Sequence, residues 1–329
     1  MLKLAAEYGN ILKGLLSLVP GINHALLQRN KPIGGTNSAI YCYGVWLKHL
    51  TMLYESGMHL VPDTLVELGP GSSLGVGIAA ILSGVNKYYA LDVAKYSDKK
   101  RNLEIFDELV NLFKVRMPRP TSGWPNFDCF LDENLFPSHI LTDDSLNKSL
   151  SENRLSLIRN AIKDIGYDNV IDNNISITYI APCFDDKTFD DKIILKETVD
   201  VVMSHSVLEY IVDIDKLNQV SYSWLKANGF ISHQIDISSL GFARTWNGHW
   251  TYPEFLWKII AGRRRPVINR KSCSEYVNSI INCNYKLVLN LKKHENTVVN
   301  RSELSKKWRN ISDEDLTCYE IFLQAQKLG

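Results

Sequence analysis

The most constraining feature of this sequence is a glycine turn between a short apolar segment and a segment of small residues. Thr64 to Leu68 is apolar, Gly69-Pro70-Gly71 follows, and Ser72 to Ser83 has the character of a helix. Glycines at a strand-to-helix turn allow a ligand to approach the backbone closely. A second predicted strand, Tyr88 to Val93, carries Asp92 near its end. An acid in that position accepts hydrogen bonds from the two hydroxyls of a ribose.

Two details separate this turn from a dinucleotide site. Glu67 precedes the glycines, where its carboxylate could pair with a ligand ammonium but would repel a pyrophosphate placed over the turn. The third glycine of the G-x-G-x-x-G pattern is absent, because Leu74 occupies its place. The turn therefore favours a ligand that carries an amine, a carboxylate and a ribose but no phosphate.

Alternating strand and helix patterns along the rest of the chain predict the fold class. The further predicted strands cover 175–180, 199–203, 230–237, 285–291 and 318–325, and helical patterns lie between most of them. This alternation predicts an α/β fold with a doubly wound, mostly parallel, seven-stranded sheet. We expect an N-terminal helical extension or cap over 1–60 and one domain over 61–329, with insertions at about 116–150 and 241–270. Gly229 is the expected C-cap of the helix before the fifth strand.

Composition excludes several partner classes. The 329 residues include 37 basic and 36 acidic side chains, and a net charge of +1 argues against a broad electrostatic grip on nucleic acid. No apolar run approaches the roughly 18 residues of a membrane span, so stable membrane insertion is not expected. Six dispersed cysteines without a C-x-x-C pair favour a reduced, cytoplasmic protein over a disulfide framework or a zinc knuckle.

The N-terminal segment carries an apolar helical pattern. Leu12, Leu15, Leu16 and Val19 recur at helical spacing, which predicts a packed helix. A helix lying on a membrane surface is the alternative, and it would place the protein at the inner face of the membrane.

Several motifs resemble those of the class I S-adenosylmethionine-dependent methyltransferases. They are E-L-G-P-G-S-S-L-G, which begins at Glu67, L-D-V at the second strand, and D-V-V-M-S-H-S-V-L-E-Y-I from Asp200 to Ile211. These matches run in order from Val66 to about Ile237. The segments S-H-Q-I-D, W-N-G-H-W and V-I-N-R resemble a bacterial branch of these enzymes often associated with surface-polysaccharide clusters.

The resemblance implies S-adenosylmethionine as cofactor, S-adenosylhomocysteine as product and a set of cofactor contacts. It implies that Glu67 and Gly69 face the methionyl part, that Gly71 allows close approach and that Asp92 holds the ribose hydroxyls. Further implied contacts are Ser73, Val93 beside the adenine, Ala181, Pro182 and Cys183 bordering the adenine, and Ser204 and His205 at the tip of the fourth strand. Many members carry an acid or amide near the adenine amino group, and the nearest acids here are Asp185 and Asp186.

A hydroxyl acceptor would benefit from a histidine or carboxylate base. Candidates after the fourth and fifth predicted strands are His205, Glu209, His233, Asp236 and His249. We favour His249 or His233 as the base, with Asp236 as a further catalytic candidate. His205 is expected to line the cofactor pocket, and Glu209 is expected to be structural.

The acceptor is expected to bind near a loop rich in aromatic residues. Trp246, Asn247 and Trp250 flank His249, and the aromatic faces could stack on a sugar, although both tryptophans could equally belong to the core. Arg263 and Arg270 belong to a short basic cluster that could meet an anionic acceptor. Tyr41 or Tyr43 could close over the methionyl group.

The leading hypothesis is methylation of a hydroxyl on a saccharide or surface glycan. A small-molecule methyltransferase, a cofactor-binding scaffold without turnover and a dinucleotide oxidoreductase are the alternatives. Pro182-Cys183 follows the third strand, where the nucleophile of a cytosine methyltransferase is not expected. No clear carboxylate pair for a catalytic metal stands out.

Overall fold

The computed structural model describes residues 2–19, 34–120, 135–165, 175–183, 194–264 and 266–329, with side chains from residue 8 onward. Its strands are β1 (Thr64–Leu68), β2 (Lys87–Leu91), β3 (Ser176–Ile180), β4 (Val199–His205), β5 (Leu225–Asp236), β6 (Tyr285–His294) and β7 (Cys318–Lys327). Its helices are α1 (Leu2–Leu18), α2 (Ala39–Glu55), α3 (Gly75–Leu82), α4 (Lys99–Lys114), α5 (Asp143–Ser149), α6 (Glu152–Lys163), α7 (Ile214–Trp224), α8 (Glu254–Ala261), α9 (Cys273–Asn282) and α10 (Asp313–Thr317).

The strands form one seven-stranded sheet in the order β3-β2-β1-β4-β5-β7-β6. Strands β1 to β5 pair in parallel, and β7 runs antiparallel to both β5 and β6. The reversal of strand order next to β1 creates a crevice at the carboxyl ends of the parallel strands, where open α/β sheets bind their ligands. The predicted doubly wound, mostly parallel sheet of the Rossmann-like methyltransferase type is confirmed.

Each face of the sheet carries its own apolar cluster. One cluster joins α2, α3 and α4 to the sheet through buried side chains such as Trp46 and Phe113. The other joins α7 and α9 to the sheet through side chains such as Trp224 and Tyr276. Because both faces are covered, successive residues of a central strand are both buried, as in Leu65 and Val66 of β1.

The predicted role of Gly229 is wrong. Helix α7 ends at Trp224 and β5 begins at the next residue, so Gly229 lies inside the strand. A Cβ at Gly229 would lie 3.1 Å from the carbonyl oxygen of Asp200, and the β4–β5 register shifts between Val199 and Val201. Gly229 therefore accommodates a close approach of the β4 and β5 backbones beside an irregular strand pairing. It does not end a helix.

Helix α1 packs on α8 through a different face from the one that its leucines predict. A side chain at Gly14 would collide with the backbone of Ile259, and Ser17 Oγ accepts a 2.9 Å hydrogen bond from the Arg263 amide. Leu12 and Leu15 point outward and are 57% and 46% exposed. Small residues therefore make the contact, because they let the two helices approach closely. Within the described ranges, no helix combines the length and the apolar character needed to cross a bilayer.

One disulfide contradicts the expectation of six reduced cysteines. Cys273 at the start of α9 and Cys318 at the start of β7 are bonded, with 6.6 Å between their Cα atoms. The fold brings together two residues that lie 45 positions apart, a proximity that no local pattern reveals. Cys42 and Cys283 are free, and Cys129 lies outside the described residues.

Candidate functional site

The glycine turn after β1 has the backbone conformation that its sequence predicts. Gly69 and Gly71 have φ angles of 66° and 74°, in the left-handed region that side chains disfavour. The Gly69 amide donates to the Leu91 carbonyl at 2.7 Å, which ties the turn to the end of β2. A Cβ at Gly69 would lie 2.7 Å from Val207 Cγ2. The turn therefore packs bare backbone against the loop that follows β4.

Asp92 lies against this turn, just after β2. Its carboxylate accepts hydrogen bonds from the amides of Gly71, at 3.1 Å, and Val93, at 2.7 Å. Burial raises the pKa of Asp92 to about 6, and the backbone amides that bond it oppose the rise. A carboxylate has about four acceptor positions, so the amide bonds do not fill them and leave capacity for a ligand's hydroxyl.

A cavity of about 900 Å³ opens at the carboxyl ends of the parallel strands. Six of the predicted site residues line it: Gly69, Gly71, Asp92, Val93, His205 and Asp236. The opposite wall comes from α8 and the segment up to residue 271, and it includes Trp257 and Lys271. This volume is within the range of small-molecule sites, roughly 300–1,000 Å³.

Glu67 lies beneath the turn and does not line the cavity. Its carboxylate accepts a short hydrogen bond from the Tyr88 hydroxyl. Burial raises the pKa of Glu67 to about 7, although the bond from Tyr88 lowers it. The structure thus gives Glu67 a protein partner where the sequence predicted a ligand ammonium.

Ser73 is also buried away from the cavity and anchors a second turn. Its hydroxyl donates to the Thr36 carbonyl, and its amide donates to Thr36 Oγ1 at 3.3 Å. Thr36 and Tyr41 line the cavity, whereas the Tyr43 hydroxyl donates to the Met117 carbonyl at 2.6 Å. Of the two tyrosines proposed to close over a ligand, only Tyr41 is placed to do so.

The segment after β3 lies behind Asp92. The Cys183 amide donates to the Asp92 carbonyl oxygen at 2.7 Å, but Ala181, Pro182 and Cys183 are not among the residues that line the cavity. Their predicted adenine contacts stay predictions. The predicted adenine acids, Asp185 and Asp186, lie outside the described residues.

Neither of the two favoured histidines lines the cavity. His233 is buried in β5, and its Nδ1 lies 2.8 Å from Ser204 Oγ, which is itself fully buried. His249 is fully buried against Trp250, with 4.7 Å between ring centroids. Burial lowers the pKa of each imidazole to about 3. This placement does not favour either ring as the base.

The aromatic loop around His249 folds into the protein. Trp250 is fully buried and donates its indole N–H to the Arg270 carbonyl at 3.0 Å, and the Trp246 indole donates to the Asn296 carbonyl at 3.0 Å. Asn247 is buried and donates to Thr297 Oγ1 at 2.7 Å. The structure therefore adopts the core alternative for Trp250, whereas Trp246 is half-buried and does not line the cavity.

The two predicted substrate arginines differ in exposure. Arg270 is buried, donates to the carbonyls of His249 and Tyr252 and pairs with Glu254 at 2.6 Å. Arg263 is exposed and lies at the end of α1, where its backbone bonds Ser17. Neither guanidinium lines the cavity, so their acceptor contacts stay predictions.

His205 and two carboxyl groups give the cavity its chemistry. His205 Nε2 has no hydrogen-bond partner among the described residues, and its Nδ1 lies 3.3 Å from His49 Nε2. Neither carboxyl oxygen of the buried Glu209 accepts a hydrogen bond from another described residue. Burial raises the pKa of Glu209 well above its usual range, and the nearby charge of Asp236 adds to the rise. Asp236 Oδ1 accepts from the Ser238 amide at 2.7 Å, and burial raises its pKa as well.

Several known structures to which this chain is similar are methyltransferases. One is an S-adenosylmethionine-dependent methyltransferase from Mesorhizobium loti, with 14% identity over 86% of this chain and 98% of that one and a TM-score of 0.40. Others are phosphoethanolamine N-methyltransferase 2 from Haemonchus contortus, with 13% identity over 94% and 61% and a TM-score of 0.42, and a geranyl diphosphate methyltransferase, with 11% identity over 86% and 85% and a TM-score of 0.41. No family model and no curated protein matches the chain. The fold assignment therefore rests on strand order and strand direction.

Proposed function

We propose that this chain is an S-adenosylmethionine-dependent methyltransferase that methylates a hydroxyl group. The observation that carries the proposal is the joint placement of Gly69, Gly71 and Asp92 on one wall of the cavity. The two glycines leave backbone without side chains beside the cavity, and Asp92 offers acceptors for a ribose diol. The bound cofactor would supply a methyl group already activated on a sulfonium.

A saccharide or surface-glycan terminus is the proposed acceptor. On the acceptor side of the cavity, Asp236 offers a carboxyl group that suits the hydroxyls of a sugar. The ring of Trp257 gives an apolar surface in the same wall, and Lys271 and Lys307 can meet an anionic substituent. These cavity residues form the proposed acceptor surface, in place of the aromatic loop around His249 that the sequence suggested. The motif likeness to the polysaccharide-associated branch agrees with this acceptor class.

Two alternatives keep the same cofactor site. A small-molecule methyltransferase of specialised metabolism would use the same cavity for a different acceptor. A cofactor-binding scaffold would bind S-adenosylmethionine without turnover. Because all three functions share the cofactor site, only the methylated products distinguish them, and cofactor binding does not.

An acceptor screen tests the proposal. Purified protein with S-adenosylmethionine is incubated with oligosaccharides and with small hydroxylated metabolites, and mass spectrometry detects products that have gained one methylene. We expect products from the saccharide set and none with Asp92→Ala. Asp315→Ala is the matched control, because Asp315 is also buried, accepts a 2.9 Å bond from a backbone amide and does not line the cavity. Products only from small metabolites would support the first alternative, and binding without any product would support the scaffold.

We propose in addition that the protein rests on the inner face of a membrane through α1. Tyr8, Leu12 and Leu15 form an exposed stripe along the helix, and Lys13 and Arg263 are exposed cations on α1 and beside its end. Apolar side chains next to cations suit an anionic bilayer surface. Co-sedimentation with phosphatidylglycerol vesicles should fall for Leu12→Ser. It should not fall for Ile281→Ser, which changes an exposed isoleucine of α9 in the same way. Equal binding by both variants would contradict the assignment.

A further inference from the structure

We propose that the acceptor of this methyl transfer is an amphiphile, in which a saccharide is joined to an apolar chain through a phosphate group. The inference rests on the proposed function above, because it names the acceptor class of the same site. It concerns the acceptor half of the cavity, which comprises the lining residues from Tyr210 to Lys307. The lining, the charges and the surroundings of this half each account for one part of such an acceptor.

More than half of the residues of the acceptor half are apolar. Besides Trp257, they include Tyr210, Ile211, Val212, Leu240, Val267 and Ile268. Val212 is 73% exposed, so it lies at the mouth of the cavity, whereas Ile268 is buried. A saccharide alone offers little apolar surface to such a wall, but each CH2 of a chain that leaves water contributes about fourfold to affinity. The lining therefore favours an acceptor with an apolar chain that leaves the cavity past Val212.

The backbone holds Leu240 exposed beside this mouth. Its φ is 46°, in the left-handed region that a leucine rarely adopts, and the following Gly241 has a φ of 82°. The Gly241 carbonyl accepts a 2.9 Å hydrogen bond from Asn10 Nδ2 of α1, which ties the loop to that helix. Backbone strain persists only where the surrounding structure enforces it, and it concentrates at ligand sites. An apolar chain in the mouth would cover this leucine.

Three lysines give the acceptor half its positive charge. They are Lys258, Lys271 and Lys307. None of the three forms an ion pair with a carboxylate within the part of the chain that the structure describes. Two carboxylates of the same lining are already engaged, because Glu254 pairs with Arg270 at 2.6 Å and Glu275 accepts from the Ser272 amide at 2.8 Å. The lysines are therefore available to an anionic group of the ligand.

A phosphate diester accounts for the charge and the apolar wall together. It joins two alcohols, one from the saccharide and one from the chain, and it keeps a negative charge that lysines bind. Lys258 and Lys307 are exposed, which places the phosphate near the mouth. The saccharide then lies further in, on the side of Asp236 and the glycine turn, and the chain leads outward.

The surface around the mouth continues toward α1. Trp257 and Lys258 of α8 line the cavity, whereas the backbone of the same helix at Ile259 packs against Gly14 of α1. Phe255, also on α8, is 69% exposed. Only α8 therefore separates the cavity from α1, whose exposed stripe is proposed above to rest on a bilayer. A bilayer is the medium that holds the chain of an amphiphile.

The chemistry of the transfer involves only the saccharide. Its hydroxyl oxygen gains the methyl group and releases its proton to water, and the electron pair of the broken methyl–sulfur bond stays on sulfur. The phosphate and the chain form and break no bonds. They contribute binding, so their loss is expected to change affinity.

Calorimetric titration with four probes below their micelle-forming concentrations, with saturating S-adenosylhomocysteine, tests the inference. Glucosyl undecyl phosphate has the sugar, the phosphate and the chain, undecyl glucoside lacks the phosphate, and glucose 1-phosphate lacks the chain. Dihexanoyl phosphatidylglycerol has a phosphate and chains but no sugar. We expect glucosyl undecyl phosphate to bind at least about tenfold more tightly than each of the other three.

Paired variants show whether the probes bind in the acceptor half. Val212→Ser should weaken glucosyl undecyl phosphate by about fourfold or more and leave glucose 1-phosphate unchanged. Val298→Ser is its control, because Val298 is also exposed and does not line the cavity. Lys307→Gln should weaken both glucose phosphates by about two- to fivefold, whereas Lys306→Gln, at the exposed neighbour outside the lining, should weaken neither.

Each contrary result removes a defined part of the inference. Equal affinity for glucosyl undecyl phosphate and glucose 1-phosphate would overturn the chain, and equal affinity for undecyl glucoside would overturn the phosphate. Equal or tighter binding of phosphatidylglycerol would overturn the saccharide, and equal losses in Val212→Ser and Val298→Ser would overturn the location. Failure to bind S-adenosylhomocysteine would remove the proposed function itself. Binding of S-adenosylhomocysteine without preference among the probes would leave that function standing and remove only this inference.

Discussion

Gly69→Ala tests whether the glycine turn must present bare backbone. The new Cβ would lie 2.7 Å from Val207 Cγ2 and 2.9 Å from Val207 Cγ1, at a backbone φ of 66°. An L-residue in the left-handed region costs about 1–2 kcal/mol. Forcing a methyl group into a packed contact costs about 1–3 kcal/mol more. We expect a total loss of roughly 2–5 kcal/mol in the free energy of unfolding.

The matched control is Gly241→Ala. Gly241 has a φ of 82°, and a Cβ there would have no heavy atom within 4 Å. It should therefore show the backbone cost alone, about 1–2 kcal/mol. The difference between the two variants in the free energy of unfolding isolates the contact with Val207. His205 and Glu209 lie two residues before and after Val207.

Urea unfolding of both variants gives the two free energies, and calorimetric titration with S-adenosylhomocysteine gives their affinities. We expect Gly69→Ala to lose at least about 1 kcal/mol more stability than Gly241→Ala. We also expect Gly69→Ala to bind S-adenosylhomocysteine more weakly, whereas Gly241→Ala should bind it as the wild type does. Equal loss of stability would refute the packing argument, and unchanged affinity in Gly69→Ala would refute the role of the turn in ligand binding.

Three further predictions concern single groups. Tyr88→Phe removes a hydroxyl that bonds the buried Glu67, so it should lower the free energy of unfolding by about 1–3 kcal/mol in urea titrations, and an unchanged value would contradict the role given to this bond. Burial raises the pKa of Asp92 to about 6, so this carboxyl is protonated in the free protein below that pH and must lose its proton to accept ribose hydroxyls. Affinity for S-adenosylhomocysteine should therefore fall between pH 7 and pH 5, by up to about tenfold per unit, and Asp92→Asn should remove this component of the pH dependence. Reduction of Cys273–Cys318, which closes a 45-residue separation, should lower the free energy of unfolding by about 3–4 kcal/mol, and Cys273→Ser should then show no response to reductant.

The fold could be predicted because its determinants are local. Each strand of the sheet is marked by its own apolar run, and the capping box at Ser272 and Glu275 marks the start of α9, where the structure shows both of its hydrogen bonds. Gly229 could not be placed in the same way. A glycine after a helical pattern fits a C-cap and a close strand approach equally well, and only the carbonyl of Asp200 on the neighbouring strand decides between them.

The candidate site could be predicted where its residues follow strands. Gly69, Asp92 and His205 come directly after β1, directly after β2 and at the end of β4, and parallel strands end at the same edge of a sheet. The sequence leaves open whether the loop around His249 is an acceptor surface or part of the core, because its burial depends on partners much later in the chain, such as Trp308, whose ring centroid is 5.7 Å from that of Trp250.

The contact between His49 and His205 has no local signal at all. The two residues are 156 positions apart, and His49 is one of several residues on the inner face of α2. The same holds for Trp257 and Thr36, which line the same cavity although they lie 221 positions apart in the sequence. Contacts of this kind can be identified only from the three-dimensional structure, because no local sequence pattern predicts them.

Calorimetric titration of the wild type and of Asp92→Ala with S-adenosylhomocysteine tests the central claim most directly. We predict one binding site per chain in the wild type and a loss of affinity of at least about tenfold in Asp92→Ala, which corresponds to about 1.4 kcal/mol. Absence of binding to the wild type, or undiminished binding to Asp92→Ala, would contradict the claim that this cavity is a methyltransferase cofactor site.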